Sequence, residues 1–432
     1  MRIDTTPLAW ATACLVLWAQ TAQTASAQQS PWSVGGSVLL SHDANLLRLA
    51  DGQDPGPGES RADTVLSTAL VGSLNQNIGR QRVFGNLTVR DNRFEQNPKY
   101  NNQSYNGQLG LDWSTVARVS GQLSASAARA LSTFNADGVG LLGEKNLEST
   151  RALNASVSVG LVTQYSLELG AGKRQVRNSL QDPRVLARDY DQDTLSAGLA
   201  WRPSAALSLS AALRQLNGKY PSFRTTAAGI EADTFKQQQL ELGVSSQATG
   251  ASTIDLRLSF GNTRYEVNEQ RNFSSVNGSL GWLWQATGKL RLNTRFSRDQ
   301  GQDAYPSTAP AFIGGFFVAP SIPVTLDDKR VISTLRVQAD LDVSAKVALT
   351  TSLQHSSRKI DRTIVVPVPF DELQPQSGRD STTVLTLGAR WAPLRNALVG
   401  CDVSSEKRRA SGNLSSNLHG SSFGCYGQIS LQ

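Results

Sequence analysis

Six arginines in the second half of the chain, Arg257, Arg291, Arg295, Arg336, Arg358 and Arg390, recur at alternating positions among polar neighbours. A guanidinium is a planar fork of donors that matches carboxylate and phosphate groups, so the chemistry implied is contact with an anionic solute or polymer. Glu241, Asp255, Asp340 and Asp402 fall at the same kind of position and could instead pair with the arginines along a shared wall. Both readings stand on spacing alone, since rings of charge also tune the selectivity of pores.

Other reactive residue types give less. His42, His355 and His419 are far apart, and a metal site needs convergent ligands, so neither metal nor cofactor is expected. Gly138, Gly140 and Gly143 match a dinucleotide fingerprint, but that motif requires a preceding strand and a following helix, and here it sits in a predicted outer loop. No serine stands out as a nucleophile, so an enzyme is not expected. Cys401 and Cys425 occupy the apolar register of the last two strands; a structural disulfide or two free lipid-facing thiols would both fit.

The elements that must carry these residues alternate. Leu109, Leu111, Trp113; Leu195, Ala197, Leu199, Trp201; and Leu385, Leu387, Ala389, Trp391 form apolar sets with period two, while Gln237, Gln239, Glu241 and Thr334, Arg336, Gln338, Asp340 form polar ones. Period two is the signature of strands with two unlike faces. Mean hydropathy is −0.28, and nothing past the first thirty residues approaches the roughly 18 apolar residues of a membrane-spanning helix. A barrel escapes that test because only alternate residues face lipid.

Connections alternate between short and long. Short turns fall near residues such as Asn75 to Arg80, Pro203 to Ala206 and Pro393 to Asn396; long loops include Asp43 to Ala62, Asn217 to Ala232, Val267 to Arg271 and Gln300 to Asp328. The sum is an all-β fold, a transmembrane antiparallel up-and-down β-barrel of about 18 strands, with N- and C-termini periplasmic by the rule of short periplasmic turns. Trp32, Trp113, Trp201, Trp282, Trp284 and Trp391 all fall at the short-turn rim. They are expected to form the periplasmic aromatic girdle, because an indole wants an apolar body and a polar partner for its N–H.

Residues 1–27 read as a signal peptide: Arg2, an apolar stretch from Leu8 to Trp18, then Ala25-Ser26-Ala27. Residues 28–432 form a single barrel domain of an exported protein placed in the cell outer membrane, with outer-membrane lipid as its first partner. Net charge is +7, yet the basic residues are dispersed and no nucleic-acid motif accompanies them, so nucleic acid is not an expected partner. Two outer segments are unexpectedly apolar, Ala311 to Val318 with Phe312, Phe316 and Phe317, and Ile364 to Phe370. Such patches pack against something, either as a lid or inward constriction, or on each other.

Asp43 to Arg48, Gly79 to Leu87, Arg93-Phe94, Tyr105 through Trp113, Thr287 to Leu290, Trp391 to Asn396 and Glu406-Lys407-Arg408-Arg409, in this order, resemble the EpsL-like outer-membrane β-barrels. These putative β-barrel porins accompany exopolysaccharide biosynthesis and exosortase systems of Gram-negative bacteria. The resemblance implies a channel or accessory component through which an exopolysaccharide chain crosses the outer membrane, together with other export components, and it carries over no catalytic residues. A general diffusion porin for small solutes is the alternative, and an outer-membrane enzyme acting on polymer or lipid a more distant one.

Overall fold

The computed structural model describes residues 30–116, 118–132, 144–160, 163–226, 229–267, 271–366 and 369–431. The expected signal peptide and the 138–143 glycine motif lie outside them, as do residues 367 and 368 of the second apolar segment. Eighteen strands follow one another: β1 Trp32–Asp43, β2 Asp63–Ile78, β3 Gln81–Phe94, β4 Asn102–Ser114, β5 Val119–Leu131 and β6 Leu147–Val159. Next come β7 Tyr165–Asn178, β8 Tyr190–Ser204, β9 Leu207–Thr226, β10 Gly229–Thr249, β11 Ser252–Tyr265 and β12 Phe273–Gln285. The last six are β13 Leu290–Ile313, β14 Phe316–Asp342, β15 Val347–Val365, β16 Gln376–Leu394, β17 Ala397–Ser411 and β18 Leu418–Leu431. One four-residue helix, α1 (Pro183–Leu186), sits between β7 and β8 and is capped by the Asp182 carboxylate.

Each strand pairs antiparallel with its neighbours in sequence, and β1 also pairs with β18, from Val34 opposite Leu431 to Asp43 opposite Ser422. That last ladder closes the sheet and leaves no edge. The tryptophan rim follows from local chemistry. Trp201 and Trp391 each precede a register shift, between Trp201 and Ser204 on β8 and between Trp391 and Leu394 on β16. Pro203 and Pro393 stand in those shifts, where an N–H could not be donated.

Two expected loops are instead strand. Residues 217–226 and 229–232 of the first, and 300–313 and 316–328 of the second, prolong their ladders, the second until Ile313 meets Phe316. The returning strand brings Val318, Ile322, Val324 and Thr325 to this outer part, and Gly314 and Gly315 take positive φ at the tip, as a tight hairpin turn demands. Asp371 holds that turn by accepting from the N–H groups of Gly314 and Gly315 at 3.0 and 2.7 Å.

The wall is apolar on the outside. Leu195 and Leu199 on β8 are 61% and 54% exposed, and Leu213 on β9 reaches 66%, whereas Thr194, Ser196 and Arg214 turn inward. The same alternation runs round the sheet through Leu70, Leu109, Leu153, Leu256, Leu335 and Leu385. A protein surrounded by water rarely exposes an apolar patch beyond a few hundred Å²; here the apolar surface is a continuous belt, which hydrocarbon satisfies and water does not. The barrel spans a membrane.

At the long-loop end the chain folds over the mouth. Leu47 and Leu49 of the β1–β2 loop are fully buried with Tyr100, against Phe94 and Leu131. Asn45 fastens the loop to the other side of the closing seam, donating to the carbonyls of Leu49 at 2.9 Å and His419 at 3.0 Å. The outer part of β13 meets β9 and α1, although three strands separate β13 from β9 in the wall.

Candidate functional site: the inner wall and mouth

All six predicted arginines lie on the inward register, but they are not equivalent. Arg257 on β11 is tied to Glu241 on β10 at 3.1 Å, and Arg214 on β9, which spacing did not single out, reaches the same carboxylate at 3.2 Å. Arg358 on β15 is buried against Asp380 on β16 at 2.7 Å, so it braces the wall. The remaining four have no ion pair among the described residues. Arg291 stands opposite Asp340 in the ladder, yet the Asp340 carboxylate accepts from Gln338 at 3.0 Å and Thr350 at 2.8 Å. Arg295 and Arg336 stand opposite each other, and Arg336 reaches the Gln338 side-chain oxygen at 3.4 Å. Arg390 lies on β16 opposite Gly400, and Asp255 is exposed on β11 opposite Gly281. The two sequence readings therefore divide: Arg257 and Arg358 pair within the wall, while Arg291, Arg295, Arg336 and Arg390 have no carboxylate partner among the described residues.

Inward-facing aromatics were missed. Phe84 on β3 lies flat over Gly110, Tyr426 on β18 over Gly400, and Phe235 on β10 over Gly218; a Cβ on any of those glycines would collide with the ring. Each glycine stands directly opposite its ring, so the missing side chain is what lets the ring lie against the wall. The available signal was an aromatic at the polar register with a glycine opposite, which becomes visible only once the pairing is known.

At the outer end an arc of rings crosses four neighbouring strands: Tyr190 on β8, Tyr220 on β9, Phe235 on β10 and Tyr265 on β11, with successive centroids 5.6 to 6.1 Å apart. Arg271, from the β11–β12 loop, is only 2% exposed. Its guanidinium sits 4.0 Å from the Tyr265 ring, 5.2 Å from Phe223 and 5.4 Å from Tyr220, and it pairs with the fully buried Asp233 at 3.2 Å. Beside it the β13–β14 hairpin carries a second buried network, in which Gln302 donates to Asp327 and Asp328 binds Arg330 and Arg362. One sector of the mouth is thus packed with ionic and aromatic groups. The sequence places Arg271 at the end of a long loop, and nothing local reveals that Asp233 waits beneath it.

Outside the membrane span, the Glu59 carboxyl is pushed up by burial, but hydrogen bonds from Lys99 and Tyr100 outweigh this and hold it below its ordinary value. Burial raises Asp189, which accepts from the Asn178 backbone and side chain at 2.8 and 2.9 Å.

The tryptophans sit on the lipid-facing register at the short-turn rim. Trp282 and Trp284 stack at 5.4 Å, Tyr165 stacks on Trp201 at 6.5 Å, and Trp282 donates to Ser252 at 2.7 Å. Trp32 and Trp391 are half exposed, and Trp113 lies over Gly121. Cys401 and Cys425 face each other on the outer side of β17 and β18 and are joined as a disulfide. The two apolar outer segments pack on one another: Val366 and Phe370 lie against Ala311, Ile322 and Val324, while Phe316 and Phe317 stay exposed at the hairpin tip and Phe312 meets the Phe317 edge. His355 is outward-facing and bonded to Thr383, and His42 to Thr64; among the described residues no group of metal-ligating side chains converges.

No family model matches the chain, and no curated protein matches it. Among solved structures, a mutant of the ferric enterobactin receptor PfeA from Pseudomonas aeruginosa aligns over 92% of this chain and 80% of its own, with 10% identity and a TM-score of 0.44. The FrpB iron transporter from Neisseria meningitidis aligns over 94% and 82%, with 9% identity and 0.44. The siderophore receptor PirA from Acinetobacter baumannii aligns over 92% and 80%, with 8% identity and 0.42. The closed strand register, rather than these likenesses, establishes the barrel.

Proposed function

We propose that this barrel is an outer-membrane channel through which an acidic exopolysaccharide passes. The observation that carries the reading is the inner wall of a closed 18-stranded sheet that bears arginines without carboxylate partners among the described residues, Arg291, Arg295, Arg336 and Arg390, alongside the flat rings of Phe84 and Tyr426. A sugar ring offers C–H faces to an aromatic plane, and a uronate or phosphate substituent accepts from a guanidinium fork. Polymer would move by exchanging such contacts one at a time, since conduction requires sites weak enough to leave. The resemblance to EpsL-like barrels supports the same cargo. Outward-facing leucines give the lipid contact, and the long-loop end faces the cell exterior.

The test is conductance of the purified full-length protein in planar bilayers, with and without an acidic polysaccharide. Concentration-dependent current block by the acidic polymer, and none by a neutral polymer of equal size, is the expected result. Conductance indifferent to both would point to a general diffusion porin, and a barrel that does not conduct would end the channel reading.

A further inference from the structure

Alternation sorts Glu406-Lys407-Arg408-Arg409 into two faces: Glu406 and Arg408 turn inward, and Lys407 and Arg409 stand exposed on the outer wall. On the neighbouring strands Arg379 of β16 and Lys359 of β15 are also outward, and they occupy directly opposite positions in the ladder. Arg409 pairs with Ser381 and Lys407 with Thr383, one and two outward positions below Arg379, so the four cations form one compact patch on three strands. Exposed His355 and His419 border it, on the rows that carry Thr383 and Lys407.

Two observations separate this patch from ordinary surface charge. The first is its balance. Several cations elsewhere on the outer wall carry a nearby carboxylate: Arg93 with Asp91 at 2.6 Å, Arg177 with Asp191 at 2.7 Å, Lys236 with Glu266 at 3.6 Å. In the patch, among the described residues, only Lys359 has one, Asp361 at 2.8 Å, while Asp380, Asp402 and Glu406 all face inward. The second is its height. From Trp391 at the short-turn rim to Arg379 is about 12 positions, which at about 3.3 Å per residue and a tilt of about 40° puts the patch about 30 Å up, just past an apolar band about 25 Å tall.

We infer that Lys359, Arg379, Lys407 and Arg409 bind the phosphate groups of a phosphorylated glycolipid in the outer leaflet, whose acyl chains lie along Leu385, Leu387 and Val403 below. Like charges crowded on one face repel unless an anion lies among them, and headgroup phosphate is the anion found at that depth. The inference rests on the membrane reading of the barrel but not on its cargo.

The test uses full-length protein in detergent and binding of lipid A, compared with the same lipid stripped of its phosphates. Wild type should prefer the phosphorylated lipid, and each Lys→Gln or Arg→Gln change should weaken binding by about fivefold, cumulatively in the quadruple variant. Equal binding of both lipids, or a quadruple variant that binds like wild type, overturns the inference. So does competition by inorganic phosphate at concentrations matching the lipid, which would mark a free-anion site. If the quadruple variant fails to fold, K407Q and R409Q carry the test singly. Conductance of the variants, unchanged because the patch is outside the bore, keeps this outcome distinct from failure of the channel reading.

Discussion

Arg295 and Arg336 face each other directly across β13 and β14 with no carboxylate bound to either among the described residues. Like charges directly opposite in a ladder are unfavourable, so the pair weakens the sheet locally and concentrates positive potential inside the bore. Replacing both with glutamine should shift the reversal potential in a salt gradient toward cations. The difference from wild type should be largest at low salt, because the screening length is about 10 Å at 0.1 M and about 3 Å at 1 M. An unaltered reversal potential would remove the pair from the ion path.

Removal of Arg271 should loosen the mouth. R271A leaves the fully buried Asp233 without its partner, and breaking a buried pair from one side costs about 3–5 kcal/mol. Hydrogen exchange should rise around Tyr265 and Asn272, and open-channel current should increase. The double change R271M/D233N, which removes both charges, should recover most of the protection. Exchange unchanged in R271A would show that the aromatic arc holds without its cation.

Acid should free the β1–β2 loop. Because the Glu59 carboxyl lies below its ordinary value near 4.5, its contribution is fully present above that value and is lost as pH falls through the lower, folded value. Limited proteolysis between Asp51 and Arg61 should therefore accelerate in that acid window, and E59Q should cleave at a rate that no longer responds to pH there. Persistence of the pH response in E59Q would assign it to another group.

The two faces of one strand should respond oppositely to charge. Leu385 lies on the lipid side midway along β16, and Thr386 is its inward neighbour. L385R should cost about 2–4 kcal/mol of unfolding free energy in lipid vesicles, while T386R, facing the bore, should change stability little and alter conductance instead. Equal destabilisation by both would contradict the assigned faces.

Much of this was legible in the chain because strand faces are written at period two. Trp113, Leu111 and Leu109 name the lipid side without any knowledge of partners, and the turn residues at Pro203 and Pro393 mark the rim. What stayed hidden depends on pairing between distant segments. Arg257 and Arg336 look alike in sequence, and only the fold shows that one reaches the Glu241 carboxylate and the other stands opposite Arg295. The long β13–β14 hairpin was read as a loop because its prolines, glycines and aspartates resemble loop composition, while its ladder is supplied by the returning strand. Arg271 was invisible for the same reason: its partners Asp233 and Tyr220 come from other strands.

The ladder between β1 and β18 carries one more consequence. It joins Val34 to Leu431, the most distant contact the sheet makes, so its loop-closure entropy is the largest and its formation depends on every earlier hairpin being in register. Folding kinetics should therefore show this seam as the slowest pairing to gain protection, and a one-residue slip in any hairpin should surface there as a barrel that cannot zip shut.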